Sequence, residues 1–149
     1  MEILIRQAAD LDVQAIYSLQ QQWTEESSVY GFVPESQEQI KAALGPYLLV
    51  AEINHEIIGF IHGSIHINED KAIMPEGASY LEIDSLYISP EHRRQSIGSG
   101  LITQLLAEAK EQRVTYALLY SAAKDIHSIL RFYERHNFQS WYVQMFRKL

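Results

Sequence analysis

A chain of 149 residues, 47% of them hydrophobic, suits one globular domain spanning residues 1–149, long enough to bury roughly two thirds of its unfolded surface. The absence of cysteine excludes disulfides, thiol nucleophiles and cysteine-ligated zinc, while a formal charge of -7 without a long basic run argues against nucleic acid and for a cationic small molecule or peptide. No apolar run approaches the roughly 20 residues of a membrane span, and MEILIRQAAD lacks a basic n-region, so the expected location is the cytoplasm, away from membranes.

Residues 2–8 (EILIRQA) form a short β-branched run that predicts a strand. Behind Asp10, Val13, Ile16, Leu19 and Trp23 recur every three or four residues, the spacing of a capped helix. The polar stretch TEESSVYGFVP separates this helix from a second, ESQEQIKAAL, which Gly45-Pro46 stops. A break of this kind between two helices is expected to form a flap. Residues 47–53 (YLLVAEI) and 57–67 (IIGFIHGSIHI) flank NHE and predict an antiparallel hairpin with a three-residue connection. On the second strand Phe60, His62, Ser64 and His66 share one face.

A charged loop (NEDKAIMPEGA) leads into the strand SYLEIDSLYI, residues 79–88. There follow a helix over 97–112, a strand TYALLYS, a helix over 125–136 and a terminal strand, FQSWYVQMFRKL. A meander of strands feeding a strand-helix-strand unit predicts an α+β fold with a central mixed, mostly antiparallel sheet and about four helices. The strand at 79–88 carries an irregularity. Leu81 and Ile83 lie on one parity, Leu86 and Ile88 on the other, so the alternation slips near Asp84 and Ser85. A β-bulge keeps both pairs buried, and a bulge leaves an N–H unpaired and splays the strand from its neighbour.

Between that strand and the following helix stands SPEHRRQSIGSGLI. A strand running through a glycine-containing loop into a helix presents free backbone N–H groups at the positive end of a helix dipole, which is an anion site. Gly98 and Gly100 permit close approach, and Arg93 and Arg94 add positive charge. Neither G-x-x-x-x-G-K-[ST] nor G-x-G-x-x-G can be written through these residues.

The stretch resembles the Q/R-x-x-G-x-G/A pyrophosphate loop of the GCN5-related N-acetyltransferase superfamily, with Arg93 first, Ile97 at the variable position and Gly98 last. The likeness runs along nearly the whole chain: IRQAADLD is similar to the family's opening strand and helix, and LRFYERHNF to the ending of its fourth helix. Three positions depart from the pattern. Ser96 replaces the first glycine, Asn137 replaces a glycine after the fourth helix, and Ile126 stands where an asparagine often contacts the coenzyme. Asparagine is the next most tolerant residue of the left-handed conformation, so the second departure is mild.

The resemblance implies an acetyl-CoA-dependent N-acetyltransferase that needs no metal. Its pantetheine arm would insert at the bulge beside Leu86, Tyr87 and Ile88, and its pyrophosphate would lie on Arg93, Arg94, Gln95, Ser96, Ile97, Gly98, Ser99 and Gly100. Counting back from Arg93, Glu82 matches the catalytic glutamate of the histone-acetyltransferase branch, with Asp84 as alternative base or as an attractor of the cationic acceptor. Tyr133 fits the tyrosine that protonates the coenzyme sulfur, although Ile126, Ile129, Leu130 and Tyr133 also form an apolar helical stripe. With no cysteine for an acetyl-enzyme, transfer is expected to be direct, in a ternary complex.

His62 and His66 face one way on a strand and lack the glutamate of H-E-x-x-H, so they are read as lining the acceptor pocket rather than binding zinc. Trp23, Tyr30 and Phe32 around the helix break are candidates for an aromatic flap over the acceptor, a small-molecule amine or a peptide. The terminal WYVQMF can pair with a second copy to make a homodimer. A non-catalytic acyl-CoA-binding or regulatory module on the same fold is the alternative reading.

Overall fold

The computed structural model describes residues 2–149. Its strands are β1 (Ile3–Gln7), β2 (Leu48–Ile53), β3 (Glu56–Ile67), β4 (Ser79–Ile88) and β5 (Tyr116–Leu119). Its helices are α1 (Val13–Glu26), α2 (Gln37–Ala42), α3 (Ile97–Glu111) and α4 (Ile126–Glu134). The five strands lie side by side in sequence order. Pairing is antiparallel from β1 to β4 and parallel between β4 and β5, across the α3 crossover. No helix among the described residues is long and apolar enough to cross a membrane.

Alternation along the strands divides the sheet into two unlike faces. On one, Leu49, Ala51, Ile61, Leu81 and Ile83 pack with Ile97, Leu101, Ile102 and Leu105 of α3. On the other, Leu48, Val50, Phe60 and Tyr87 pack with Val13, Ile16 and Leu19 of α1 and Ile40 of α2. Burial of each Leu, Ile, Val or Phe among them contributes about 1.5–3 kcal/mol. The helices α1 and α2 cover only part of the second face. Beyond Phe60 the even positions of β3 turn polar, with His62, Ser64 and His66, and this end of the face stays half-buried or exposed.

Local chemistry explains how the elements begin and end. Asp12, not Asp10, organises the entry to α1: its carboxylate accepts the Ala9 N–H at 2.7 Å and a 2.7 Å contact from Arg6, which also reaches Glu52 on β2. The Arg6 hydrogen bond outweighs burial and holds the Asp12 carboxyl below its ordinary pKa. Ser36 caps α2 in a reciprocal pair, accepting the Gln39 N–H at 3.2 Å while Gln39 Oε1 accepts the Ser36 N–H at 2.8 Å. The connection between β2 and β3 is two residues long rather than three, because Asn54 (φ 50°) and His55 (φ 67°) both take the left-handed turn conformation and Glu56 pairs with Ile53. After α4, Asn137 adopts φ 67° and the Phe138 N–H bonds back to the Tyr133 carbonyl at 3.1 Å, so asparagine fills the glycine role.

The terminal strand expected over 138–149 does not form. Residues 139–149 carry no strand or helix, and among the described residues no backbone hydrogen bond ties them to another segment. Val143, Met145 and Phe146 are exposed. A strand-like alternation becomes a strand only when a neighbouring backbone meets its N–H and C=O groups, and here none does.

Candidate active site

The phase slip in β4 is a bulge. His62 pairs with Ser85 and Gly63 with Ile83, leaving Asp84 as the extra residue. The parallel pairing of β4 with β5 stops at the same place, at Ile83 and Leu119. Past that point no strand pairs with β4 on its β5 side among the described residues, and this unpaired edge, next to the loop after β5, is called the wedge. One edge of the wedge is crossed by the segment following α1, where Tyr30 N–H bonds to the Ala122 carbonyl and Lys124 N–H to the Ser28 carbonyl, both at 2.9 Å.

Glu82 and Asp84 meet on the uncovered end of the sheet. Glu82 pairs with Ser64 in register, and Asp84 accepts the Ser64 hydroxyl at 2.8 Å and lies 3.9 Å from His62 Nδ1. Ser64 also contacts His66 Nε2 at 2.9 Å. Burial first, and then the adjacent Asp84 carboxyl, raise the Glu82 pKa above the usual carboxylate range, against the weaker pull of His66 and Lys71. A carboxylate so tuned is a better proton acceptor than an ordinary one. The loop beside it, residues 68–78, is built around buried Asn68, whose side-chain amide donates to the carbonyls of Lys71, Met74 and Pro75. That loop sets Glu69, Asp70 and Glu76 at the rim, all exposed.

Tyr133 approaches from the opposite face. It packs edge-on to Phe132 and Phe138, at 5.0 and 5.6 Å between ring centroids, and against the α3 core. Burial pushes its phenol up to about 12. Glu82 and Tyr133 therefore belong to opposite faces of the sheet.

The loop before α3 matches the anion-site expectation in its backbone more than in its side chains. Arg94 and Ser96 both take left-handed φ, 61° and 62°, and Ser96 is the cap of α3. The Gly100 N–H closes the first turn on the Ser96 carbonyl at 3.0 Å, so the N–H groups of Ile97, Gly98 and Ser99 have no helical partner. Arg94 and Gln95 are exposed. A Cβ on Gly98 would rest 3.5 Å from the Phe132 ring, an ordinary contact, so an alanine-sized side chain fits there while a longer one must pass the ring.

The structure gives several of the expected site residues packing or hydrogen-bonding partners. A Cβ on Gly100 would come within 2.6 Å of Ile5 Cδ1 on β1, and the Gly100 N–H is already bonded to the Ser96 carbonyl. The Ile97 side chain is buried in the core, so it can offer a ligand only backbone, while Leu86 and Ile88 pack half-buried against that core. Tyr87 is buried on the other face, its hydroxyl donating to Glu26. The Arg93 guanidinium is held by Glu26 and the Ile88 carbonyl. Ser99 Oγ contacts His136 Nε2 at 3.1 Å.

Trp23 is an aromatic-cluster residue, 4.4 Å from Phe32 and 5.1 Å from Tyr87 between centroids. It also walls a cavity of about 200 Å³ with Ser27, Ser28 and Val29. Tyr30 is exposed on the crossing segment, beside Phe146 and Lys124. His62 is half-buried in the Asp84 group. Sequence reasoning missed Glu26, for which no local signal exists, and Asn68, whose position at the head of a turn-rich loop was the available clue. A groove of about 600 Å³ lined by Asp12, Ser18, Gln22, Glu52 and His55 lies apart from the wedge, between α1 and the β2–β3 turn.

Residues 13–138 match the family described as Acetyltransferase (GNAT) family. No curated protein sequence matches the chain. Among solved structures, the chain is similar to AAC(6')-Iy in complex with the bisubstrate analogue CoA-S-monomethyl-acetylneamine, at TM-score 0.77 and 15% identity over 100% of this chain and 99% of that one. It is similar to a ribosomal-protein-alanine N-acetyltransferase from Brucella melitensis biovar Abortus 2308, at TM-score 0.72 and 15% identity over 100% of both chains. A predicted acetyltransferase with acetyl-CoA from Clostridium acetobutylicum has TM-score 0.72 and 20% identity over 97% of this chain and 96% of that one. The structural likenesses establish the shared fold, and the sequence match over residues 13–138 establishes that the chain belongs to the acetyltransferase (GNAT) family.

Proposed function

We propose that this chain is an N-acetyltransferase that moves the acetyl group of acetyl-CoA to a primary amine of a small cationic molecule or peptide, directly, within a ternary complex. The observation that carries the reading is the bulge at Asp84 with the unpaired β4 edge beyond it, on a sheet that carries half-buried Glu82 on one face and has Tyr133 packed on the other. Solved relatives hold acetyl-CoA or a coenzyme-linked analogue on the same fold, which supports a coenzyme here.

In this reading the N–H groups of Ile97, Gly98 and Ser99 hold the pyrophosphate at the α3 N-terminus, while the backbone of Leu86, Tyr87 and Ile88 lines the pantetheine arm. Glu82 takes the proton of the acceptor ammonium, directly or through water, freeing the lone pair that attacks the thioester carbonyl. Backbone N–H at the bulge stabilises the oxygen charge of the tetrahedral adduct. The C–S bond then breaks as the adduct nitrogen gives its second proton to water, and Tyr133 gives its proton to the departing sulfur and is reprotonated from water. The acidic rim of Glu69, Asp70, Glu76 and Asp84 attracts the cationic acceptor. The chain is read as one domain acting in the cytoplasm, and as a homodimer in which a second copy supplies partners for the exposed Trp141 and Tyr142.

A panel of polyamines, aminoglycosides, amino-acid amides and peptide N-termini, assayed for free-thiol release from acetyl-CoA, tests the function. Turnover is expected with cationic amines and should weaken as salt rises. Coenzyme binding without thiol release from any amine would favour the non-catalytic acyl-CoA-binding module.

A further inference from the structure

The last turn of α1 is joined to the start of the coenzyme loop by one carboxylate. Glu26 Oε1 lies 2.8 Å from Arg93 Nη1, and Glu26 Oε2 accepts Arg93 Nη2 at 2.9 Å, a two-pronged geometry that fixes orientation as well as distance. Arg93 Nε donates to the Ile88 carbonyl at 2.9 Å, and its guanidinium lies 5.3 Å from the Tyr87 ring centroid. Tyr87 donates its hydroxyl to the same Glu26 oxygen. Burial acts to raise the Glu26 pKa, but the hydrogen bonds from Arg93 and Tyr87 outweigh it and keep the carboxyl ionised.

The residues just after Glu26 matter as much. Ser27 ends α1 in a left-handed conformation, and residues 28–30 at once cross to the β5–α4 loop through the Ser28–Lys124 and Tyr30–Ala122 backbone bonds. One side of Glu26 thus holds the coenzyme loop, and the other leads into the segment across the wedge. A pair as exposed as this, with side chains 43% and 22% accessible, contributes little to stability. Its consequence is positional.

We propose that Glu26 is a positioning residue that couples the coenzyme loop to the segment over the acceptor side, acting through Arg93, which serves as a strut and not as a pyrophosphate ligand. The inference rests on the coenzyme-binding reading of the wedge. It has a distinctive sign. If Arg93 were a phosphate ligand restrained by Glu26, then Glu26→Gln, which keeps the shape and an acceptor for Tyr87, would release Arg93 and tighten coenzyme binding. If Arg93 is a strut, the same change loosens the loop and weakens binding.

Coenzyme A titrated calorimetrically into the wild-type chain and Glu26→Gln, with hydrogen exchange of residues 28–30 followed in parallel, separates these outcomes. The expected results are a loss of affinity of about fivefold in Glu26→Gln and slowed exchange of residues 28–30 on coenzyme binding in the wild type only. Arg93→Gln should reproduce both effects, and combining it with Glu26→Gln should add little. Unchanged or tighter binding in Glu26→Gln overturns the strut. So does coenzyme binding that leaves exchange at residues 28–30 unaltered in the wild type, a readout that does not depend on any variant folding. Failure of the wild type to bind coenzyme A would overturn the functional reading and this inference together.

Discussion

Tyr133 is held by packing, and in the proposed reaction the same side chain would supply a proton. Its ring is held between Phe132 and Phe138, and its phenol, pushed up to about 12 by burial, stays protonated throughout the neutral range and so remains a donor. Tyr133→Phe keeps the ring and removes the proton. Turnover should fall by at least about tenfold, with the melting temperature nearly unchanged; turnover within about twofold of wild type would leave Tyr133 a packing residue only. Glu82 makes the complementary case. As a base it works only when ionised, so its raised pKa places the acid limb of the kcat profile above that of an ordinary carboxylate. Asp84→Asn removes a charge that raises this pKa, and the limb should therefore move to lower pH. The same shift has a stability cost: the contribution linked to Glu82 is present below its unfolded pKa, about 4.3, and is lost as pH rises through the higher folded value. A pH–rate profile of the two proteins with the best acceptor checks the direction.

At the scale of elements, the loop into α3 stores strain that its function does not require. Ser96 caps the helix at φ 62° with no side-chain hydrogen bond to the helix N-terminus, a conformation that costs a non-glycine residue about 1–2 kcal/mol. Ser96→Gly is expected to raise stability by about 1 kcal/mol in thermal melts while keeping coenzyme affinity, since the N–H groups of Ile97, Gly98 and Ser99 are unaltered. Gly98 tests the same loop from the other side. An added Cβ would sit in ordinary contact with Phe132, so Gly98→Ala is tolerated by the fold, whereas Gly98→Glu brings bulk and negative charge to the proposed anion site. Calorimetry should show coenzyme binding reduced by at least about tenfold in a folded protein; unchanged affinity would move the pyrophosphate elsewhere.

For the whole molecule, the uneven feature is the edge carrying β5 and the chain end. Tyr116, Tyr120, Leu130, Trp141, Tyr142 and Phe146 are all exposed there, and α4, although one of its faces is apolar, has no fully buried residue. Exposed apolar side chains of this kind make the edge the candidate contact of the proposed homodimer. Sedimentation should show a dimer of the full chain and a monomer when residues 139–149 are deleted. A monomer for both would remove the terminal segment from any interface.

The bulge, the order of elements and the turn at Asn137 were legible in the residues themselves. Side-chain parity has period two along any strand, so the slip from Leu81 and Ile83 to Leu86 and Ile88 can be absorbed only by an extra residue, which proved to be Asp84. Asn137 obeys the same local logic, because left-handed backbone is a property of single residues. The tertiary structure alone decided the rest. That Gly100 packs against Ile5 depends on where β1 lies. Glu26 meets Arg93 across 67 positions of sequence, and no local period encodes such a meeting. The terminal segment has the composition of a strand, yet a strand is made by its neighbour's hydrogen bonds, and those depend on where the sheet ends and not on the segment's own side chains.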